Sequence, residues 1–178
     1  ILSGLVGSEM CIRDRGMAIS DTMQKAFNDQ FNAELQAALV YKQLGLELDR
    51  LSLVGMRDWM REQVDEEFEH AHAFSDHILA RGGQVTISTL SVPELNIQSA
   101  KDAFQAALED EKKVSGLIRD LAKTADAEGD LDSRQLIDRF LTEQIEEEDT
   151  VNEILDRLEL VGDDGAGILR LDAELGQR

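Results

Sequence analysis

Cysteine is all but missing from this chain of 178 residues, Cys11 being the one copy. It lies in a leading stretch, "ILSGLVGSEMCIRDRG" (residues 1–16), that lacks helical periodicity and whose "GSEMCIRDR" resembles translated sequencing-adapter read-through. We set that stretch apart as a non-native extension, with a signal peptide as the rival reading, and take residues 17–178 as one domain. Without Cys11 the remaining chain offers no disulfide, no thiolate ligation of an iron–sulfur cluster and no Cys-based zinc site. Proline occurs once, as Pro93, and aromatic residues make up 4%. So few breakers and β-formers point to helices. Positive charge is scarce, with 18 Lys and Arg against 37 Asp and Glu, a net charge of −19. That balance argues against nucleic acid or an anionic membrane as a partner, because both are bound through basic patches. No apolar run approaches the ~20 residues of a membrane span. With no export signal read in it, the chain is expected in the cytoplasm.

What is abundant is helical periodicity. Ser20 reads as an N-cap, and from there apolar or small residues recur at alternating spacings of three and four. The first stripe runs Met23, Phe27, Phe31, Glu34, Ala38, Tyr41, Gly45, Leu48, and breaks at "DRLSLVG". A second runs Met56, Met60, Val64, Glu67, Ala71, Phe74, Ile78, and stops at Gly82-Gly83. Next comes "QVTISTLSVPELNIQ", the longest non-helical stretch, in which "QVTIST" reads as an isolated strand at most. Ser99 and Asp102 form a capping-box start for the third stripe: Ala100, Phe104, Ala107, Glu111, Val114, Ile118, Leu121. After "TADAEGDLDS" the fourth reads Ile137, Phe140, Gln144, Glu147, Val151, Ile154, Leu158, Val161. These patterns predict an all-α four-helix bundle. The second connection is long enough to cross the bundle, so helices two and three should run parallel, the one-crossover connectivity of ferritin-like folds. A tail around Ile168, Leu171 and Leu175 predicts a short fifth helix, too short to stand alone in water.

Each stripe is interrupted once, near its middle, by a carboxylate: Glu34, Glu67, Glu111 and Glu147. No Lys or Arg occupies the stripes, so no counter-charge is on offer there. Burying several like-charged groups at one level costs several kcal/mol per ion and raises their pKa values. Protons or metal cations relieve that cost, and four coincidences favour metal. Glu67 and His70, three apart, present an oxygen and an imidazole nitrogen from one helix face. Oxygen-rich ligation with one imidazole suits Fe(II) or Mn(II). His72 falls off the seam, and His77 sits where a helix dipole favours its charge. Tyr41 reads equally as a satisfied core tyrosine or as a neighbour of the centre.

Taken together, "NAELQAALVY", "DEEFEHAH", "LEDEKK" and "TEQIEEED" resemble the non-haem bacterial ferritins over Met17 to Arg178. The resemblance implies a homo-oligomer, a cage of twenty-four subunits, that oxidises Fe(II) with dioxygen or hydrogen peroxide and stores ferric mineral. By the same resemblance Glu34, Glu67 and His70 hold one iron, and Glu67 bridges to a second held by Glu111 and Glu147. Gln144 lies near the oxygen site, Tyr41 stands beside the centre, and Glu66, Glu143 and Glu146 join Glu147 in an additional iron site. Haem is not expected, since Phe68 and Glu69 stand inside the E-x-x-H motif, where the haem-carrying bacterioferritins have methionine; Met56 and Met60 are the alternative ligands. The fourth helix offers Gln144-x-x-Glu147 rather than a second E-x-x-H, which weakens the second position, as release from storage requires. The rivals are a bacterioferritin or another di-iron oxidoreductase, and a metal-free acidic helical adaptor.

Overall fold

The structure, a computed structural model, describes residues 18–178; the stretch read as a non-native extension lies outside the described residues. The stripes become α1 (Asp21–Arg50), α2 (Val54–Ala80), α3 (Ala100–Glu128), α4 (Arg134–Val161) and α5 (Gly165–Leu175), with a 3-10 turn at Leu131–Ser133. The capping signals act as read. Ser20 Oγ accepts from the Met23 N–H at 3.2 Å, and Ser99 Oγ from the Asp102 N–H at 3.1 Å. The Asp102 carboxylate returns its bond to the Gln98 N–H at 2.9 Å, one residue earlier than a standard capping box. At the end of α2, Gly82 adopts φ 79°, and the Gly82 and Gly83 N–H groups close back on Leu79 and Ile78. That left-handed turn is what glycine permits.

Two breaks between helices are shorter than the sequence reading has them. α3 runs on through "TADAE", because nothing before Gly129 breaks it and Ala125 packs into the core. The break after α1 shrinks to residues 51–53. Val64 also departs from its place in the stripe, being only partly buried, and Phe68 is 42% exposed. Gln63 rather than Val64 is buried, so the seam of α2 steps through Met60, Gln63 and Glu67, and Phe68 lies one residue, about 100°, off it.

Two apolar clusters show how the helices run. One gathers Met23 and Phe27 from the start of α1, Ile78 from the end of α2, Leu121 from late α3 and Ile137 from early α4. The other gathers Leu48, Met56, Phe104 and Leu158 from the opposite ends of the same helices. α1 is therefore antiparallel to α2, α3 antiparallel to α4, and α2 parallel to α3. Both methionines proposed as alternative haem ligands, Met56 and Met60, are fully buried in the second cluster.

The crossover is extended but forms no strand with another segment among the described residues. Its partner is a row of side-chain amides on α1. Gln24 Oε1 accepts from the Gln84 N–H, Asn28 Oδ1 from Thr86 and Asn32 Oδ1 from Ser88, at 2.8–2.9 Å. The Asn28 and Asn32 amides in turn donate to the Gln84 and Thr86 carbonyls. Four helical residues rise about 6 Å and two extended residues about 6.6 Å, so the two periods stay in step.

The tail docks on its own chain. α2 has no capping side chain of its own. Asp172 of α5 supplies one, accepting from the Gly55 and Met56 N–H groups at 3.2 and 2.8 Å. Glycine at 55 permits the approach, since a Cβ there would lie 1.9 Å from the Asp172 carbonyl oxygen.

Candidate metal centre

Between the two apolar clusters lies a polar layer. Glu34 is 0% exposed and Glu67 2%, with Glu111, His70, Gln30, Gln63 and Gln144 also buried; Glu147 is half-buried. Each comes from the mid-section of its helix, so antiparallel packing brings them to one height.

Glu34, Glu67 and His70 each offer one ligand atom within 4.8 Å of the others, and no other such group of three occurs among the described residues. His70 Nδ1 lies 3.4 Å from Glu67 Oε2 and 3.9 Å from Glu34 Oε2. Gln30 Nε2 donates to Glu34 Oε1 at 2.9 Å, which leaves Glu34 Oε2 free to face the cluster. Glu34 Oε2 and His70 Nδ1 are buried without a hydrogen-bond partner among the described residues. Buried polar atoms are rarely left so, and two facing one point make a donor set for a cation. Burial, then the neighbouring Glu67, holds the Glu34 carboxyl well above its usual range. Burial, then Glu111, does the same to Glu67.

The opposite wall is built around Glu111. Tyr41 is fully buried and donates its hydroxyl to Glu111 Oε1 at 2.5 Å, so it is both a satisfied core tyrosine and a neighbour of the centre. Burial and the adjacent Glu111 push the Tyr41 hydroxyl well above its ordinary pKa. Gln144 Nε2 donates to Glu111 Oε2 at 3.2 Å and to Ser115 Oγ at 3.1 Å. Burial lifts the Glu111 carboxyl to about 7, against the opposing Tyr41 hydrogen bond. Glu147 accepts from Gln63 Nε2 at 3.2 Å and is raised by burial and then by Glu66.

The residues read as an additional site divide. Glu66 stands beside Glu147 but accepts from Arg178 at 2.7 Å. Glu143 accepts from Arg139 at 2.8 Å through Oε1, while its buried Oε2 lies 3.6 Å from His70 Nε2. Glu146 is exposed. His72 is exposed as expected. His77 stands in the last turn of α2, as read, but burial, then Arg81, lowers its pKa, and its Nε2 pairs with Ser133 Oγ at 2.8 Å. Sequence reading missed Gln30, Gln63, Ser115 and Arg178. The two glutamines stand four residues before Glu34 and Glu67, a one-turn spacing that identifies them in retrospect; Arg178 carries no such signal.

Residues 24–161 match the ferritin-like domain family. A bacterial non-heme ferritin of Bacteroides fragilis is 34% identical over 90% of this chain and 99% of its own length. The chain belongs to the ferritin family. A probable non-heme ferritin-like protein of Haemophilus influenzae is 27% identical over 89% of the chain and 96% of its own. Among solved structures, an open-pore ferritin from the hyperthermophilic archaeon Archaeoglobus fulgidus superposes with a TM-score of 0.88 at 34% identity, covering 90% of this chain and 99% of that one. Ferritin membership supports iron storage as the role of this chain. No helix among the described residues of this ferritin is long and apolar enough to cross a membrane.

Proposed function

We propose that this ferritin oxidises Fe(II) inside each bundle and stores the ferric product in a closed shell of twenty-four copies. The observation that carries the reading is the buried Glu34–Glu67–His70 group, whose ligand atoms lie within 4.8 Å of one another and include two with no hydrogen-bond partner among the described residues. Two oxygens and an imidazole nitrogen suit Fe(II). Glu67, which also feels Glu111 and Glu147, bridges to a second iron held by those two carboxylates. Paired metals about 3.5–4 Å apart can together engage one oxygen substrate. Gln144 orients Glu111, and Tyr41 keeps the same carboxylate from turning away.

The chemistry balances with iron as substrate. Two Fe(II) each lose one electron, and dioxygen takes both with two protons to leave hydrogen peroxide. With hydrogen peroxide as the oxidant, the O–O bond breaks, and two electrons and two protons leave two waters. Raised carboxyls such as Glu34 and Glu67 carry protons in the metal-free centre and release them as iron binds. Glu66, Glu143 and Glu146, with Glu147, form the additional site, where iron must displace the arginines on Glu66 and Glu143. Aerobic addition of Fe(II) tests the whole: storage retains many irons per chain in solution, a resident di-iron cofactor retains two, and an adaptor retains none. Retention of two or fewer overturns the proposal.

A further inference from the structure

We propose that Arg178 is a positioning residue for the second iron position, acting by fixing which end of the Gln63 amide faces Glu147. The inference rests on the reading of Glu147 as a ligand. Gln63 is 0% exposed, so water cannot satisfy either end of its amide. Its Oε1 accepts from Arg178 Nη1, and its Nε2 donates to Glu147 Oε2 at 3.2 Å. Guanidinium has donors and no acceptor. A donor-only group on one side therefore dictates that the oxygen end of the amide turns towards Arg178 and the nitrogen end towards the carboxylate. With Arg178 gone, the two ends become interchangeable from that side. Half a turn would then set an amide oxygen against a carboxylate oxygen, two acceptors with no proton between them.

Arg178 is held in place by more than this bond. Its guanidinium lies 4.9 Å from the centre of the Trp59 ring, a geometry that attracts a cation to the ring face. It also donates to Glu66 at 2.7 Å and pairs with Glu62 at 3.5 Å. Either ion pair alone is half-exposed and contributes little. The ring beneath and two carboxylates one helical turn apart together fix a planar group that lysine would not reproduce. Gln63 then transmits the order inward: Trp59 and Glu66 seat Arg178, Arg178 orients Gln63, and Gln63 holds one oxygen of Glu147. The first position, Glu34–Glu67–His70, has its own amide in Gln30 and no share in this chain of contacts.

Trp59 is the one tryptophan, so its emission reports the seat directly. The test uses the assembled protein with Co(II), whose absorption bands follow each equivalent bound. Arg178→Met, Gln63→Leu, their combination and Arg178→Lys are compared with the parent. Removing a hydrogen-bonded partner of a ligand costs about tenfold or more in metal affinity. Arg178→Met should therefore weaken the second Co(II) about tenfold, leave the first unchanged and alter Trp59 emission in the metal-free protein. Gln63→Leu should match it, the combination should be no worse than Gln63→Leu, and Arg178→Lys should restore part of the loss. Equal uptake of the second Co(II) by parent and Arg178→Met overturns the inference alone. So do losses that multiply in the combination, equal weakening of both equivalents, or unchanged Trp59 emission. A parent that takes up fewer than two Co(II) per chain overturns the di-metal reading itself and this inference with it.

Discussion

Replacing Glu111 with glutamine asks whether the bundle centre holds its carboxyl groups against their own preference. Burial lifts Glu111 from 4.5 to about 7. Between those values the folded chain keeps a proton that the unfolded chain has already released. The folded state then binds more protons, so stability falls as pH rises through this window. Each unit is worth about 1.4 kcal/mol, so roughly 3 kcal/mol opposes folding of the metal-free chain once pH passes 7. Glu111→Gln removes that opposition. Its amide oxygen still accepts from Tyr41, whose hydroxyl now meets Glu111 Oε1. Its amide nitrogen, however, meets the Gln144 Nε2 that now donates to Glu111 Oε2, and losing that bond costs about 1 kcal/mol. Without metal, the variant should be about 2 kcal/mol more stable than the parent above pH 7 and about 1 kcal/mol less stable below pH 4.5. In a chain of this size 1 kcal/mol moves the melting temperature by about 2–4 °C. The assay is melting of chelator-treated parent and variant from pH 4 to 8, at one protomer concentration because assembly also stabilises. Taking the parent-minus-variant difference cancels the surface ion pairs of the rest of the chain. With Co(II) or Zn(II) present the order at neutral pH should reverse, since only the parent keeps the ligand. A difference that stays flat across the window would mean that Glu111 titrates as an exposed carboxyl, refuting the reasoning.

Glu67→Gln should abolish rapid Fe(II) oxidation and leave the assembled particle intact by light scattering; unimpaired oxidation would show that Glu67 bridges nothing. Asp172→Ala removes the cap that α5 lends to α2 and should cost about 1–2 kcal/mol in denaturant unfolding. Gly55→Ala should do more, releasing α5 to limited proteolysis, because its Cβ would fall 1.9 Å from the Asp172 carbonyl oxygen; an intact, protease-resistant α5 would count against that packing. His77 has a lowered folded pKa, so its contribution is present above its unfolded pKa and lost as pH falls. Parent and His77→Gln should therefore converge in stability on going from pH 7.5 to 5, and a gap that widens on acidification would contradict the direction of the shift.

The stripes made the fold legible because helix period, capping serines and terminal glycines are local signals that agree with one another. Glu34, Glu67 and Glu111 were legible for the opposite reason, each violating a periodic pattern that burial enforces. What stayed hidden depends on three-dimensional closure. Nothing in "DRLSLVGM" announces that α2 lacks its own cap, and nothing in "LRLDAEL" announces that Asp172 serves one more than a hundred residues earlier. The row Gln24, Asn28, Asn32 looks like an ordinary polar face of α1 until an extended segment lies along it. Val64 and Gln63 show the limit of pattern reading at its finest grain. Both spacings, three and four, satisfy a helical seam, and hydrophobicity alone selects Val64. The bundle buries Gln63 instead, with its amide donating to Glu147 on one side and accepting from Arg178 on the other. A buried glutamine wedged between a carboxylate and a guanidinium is the same kind of exception as Glu67 in the stripe. Both depart from the apolar rule where charged side chains from several helices meet, and both acquire their meaning only from residues on other elements.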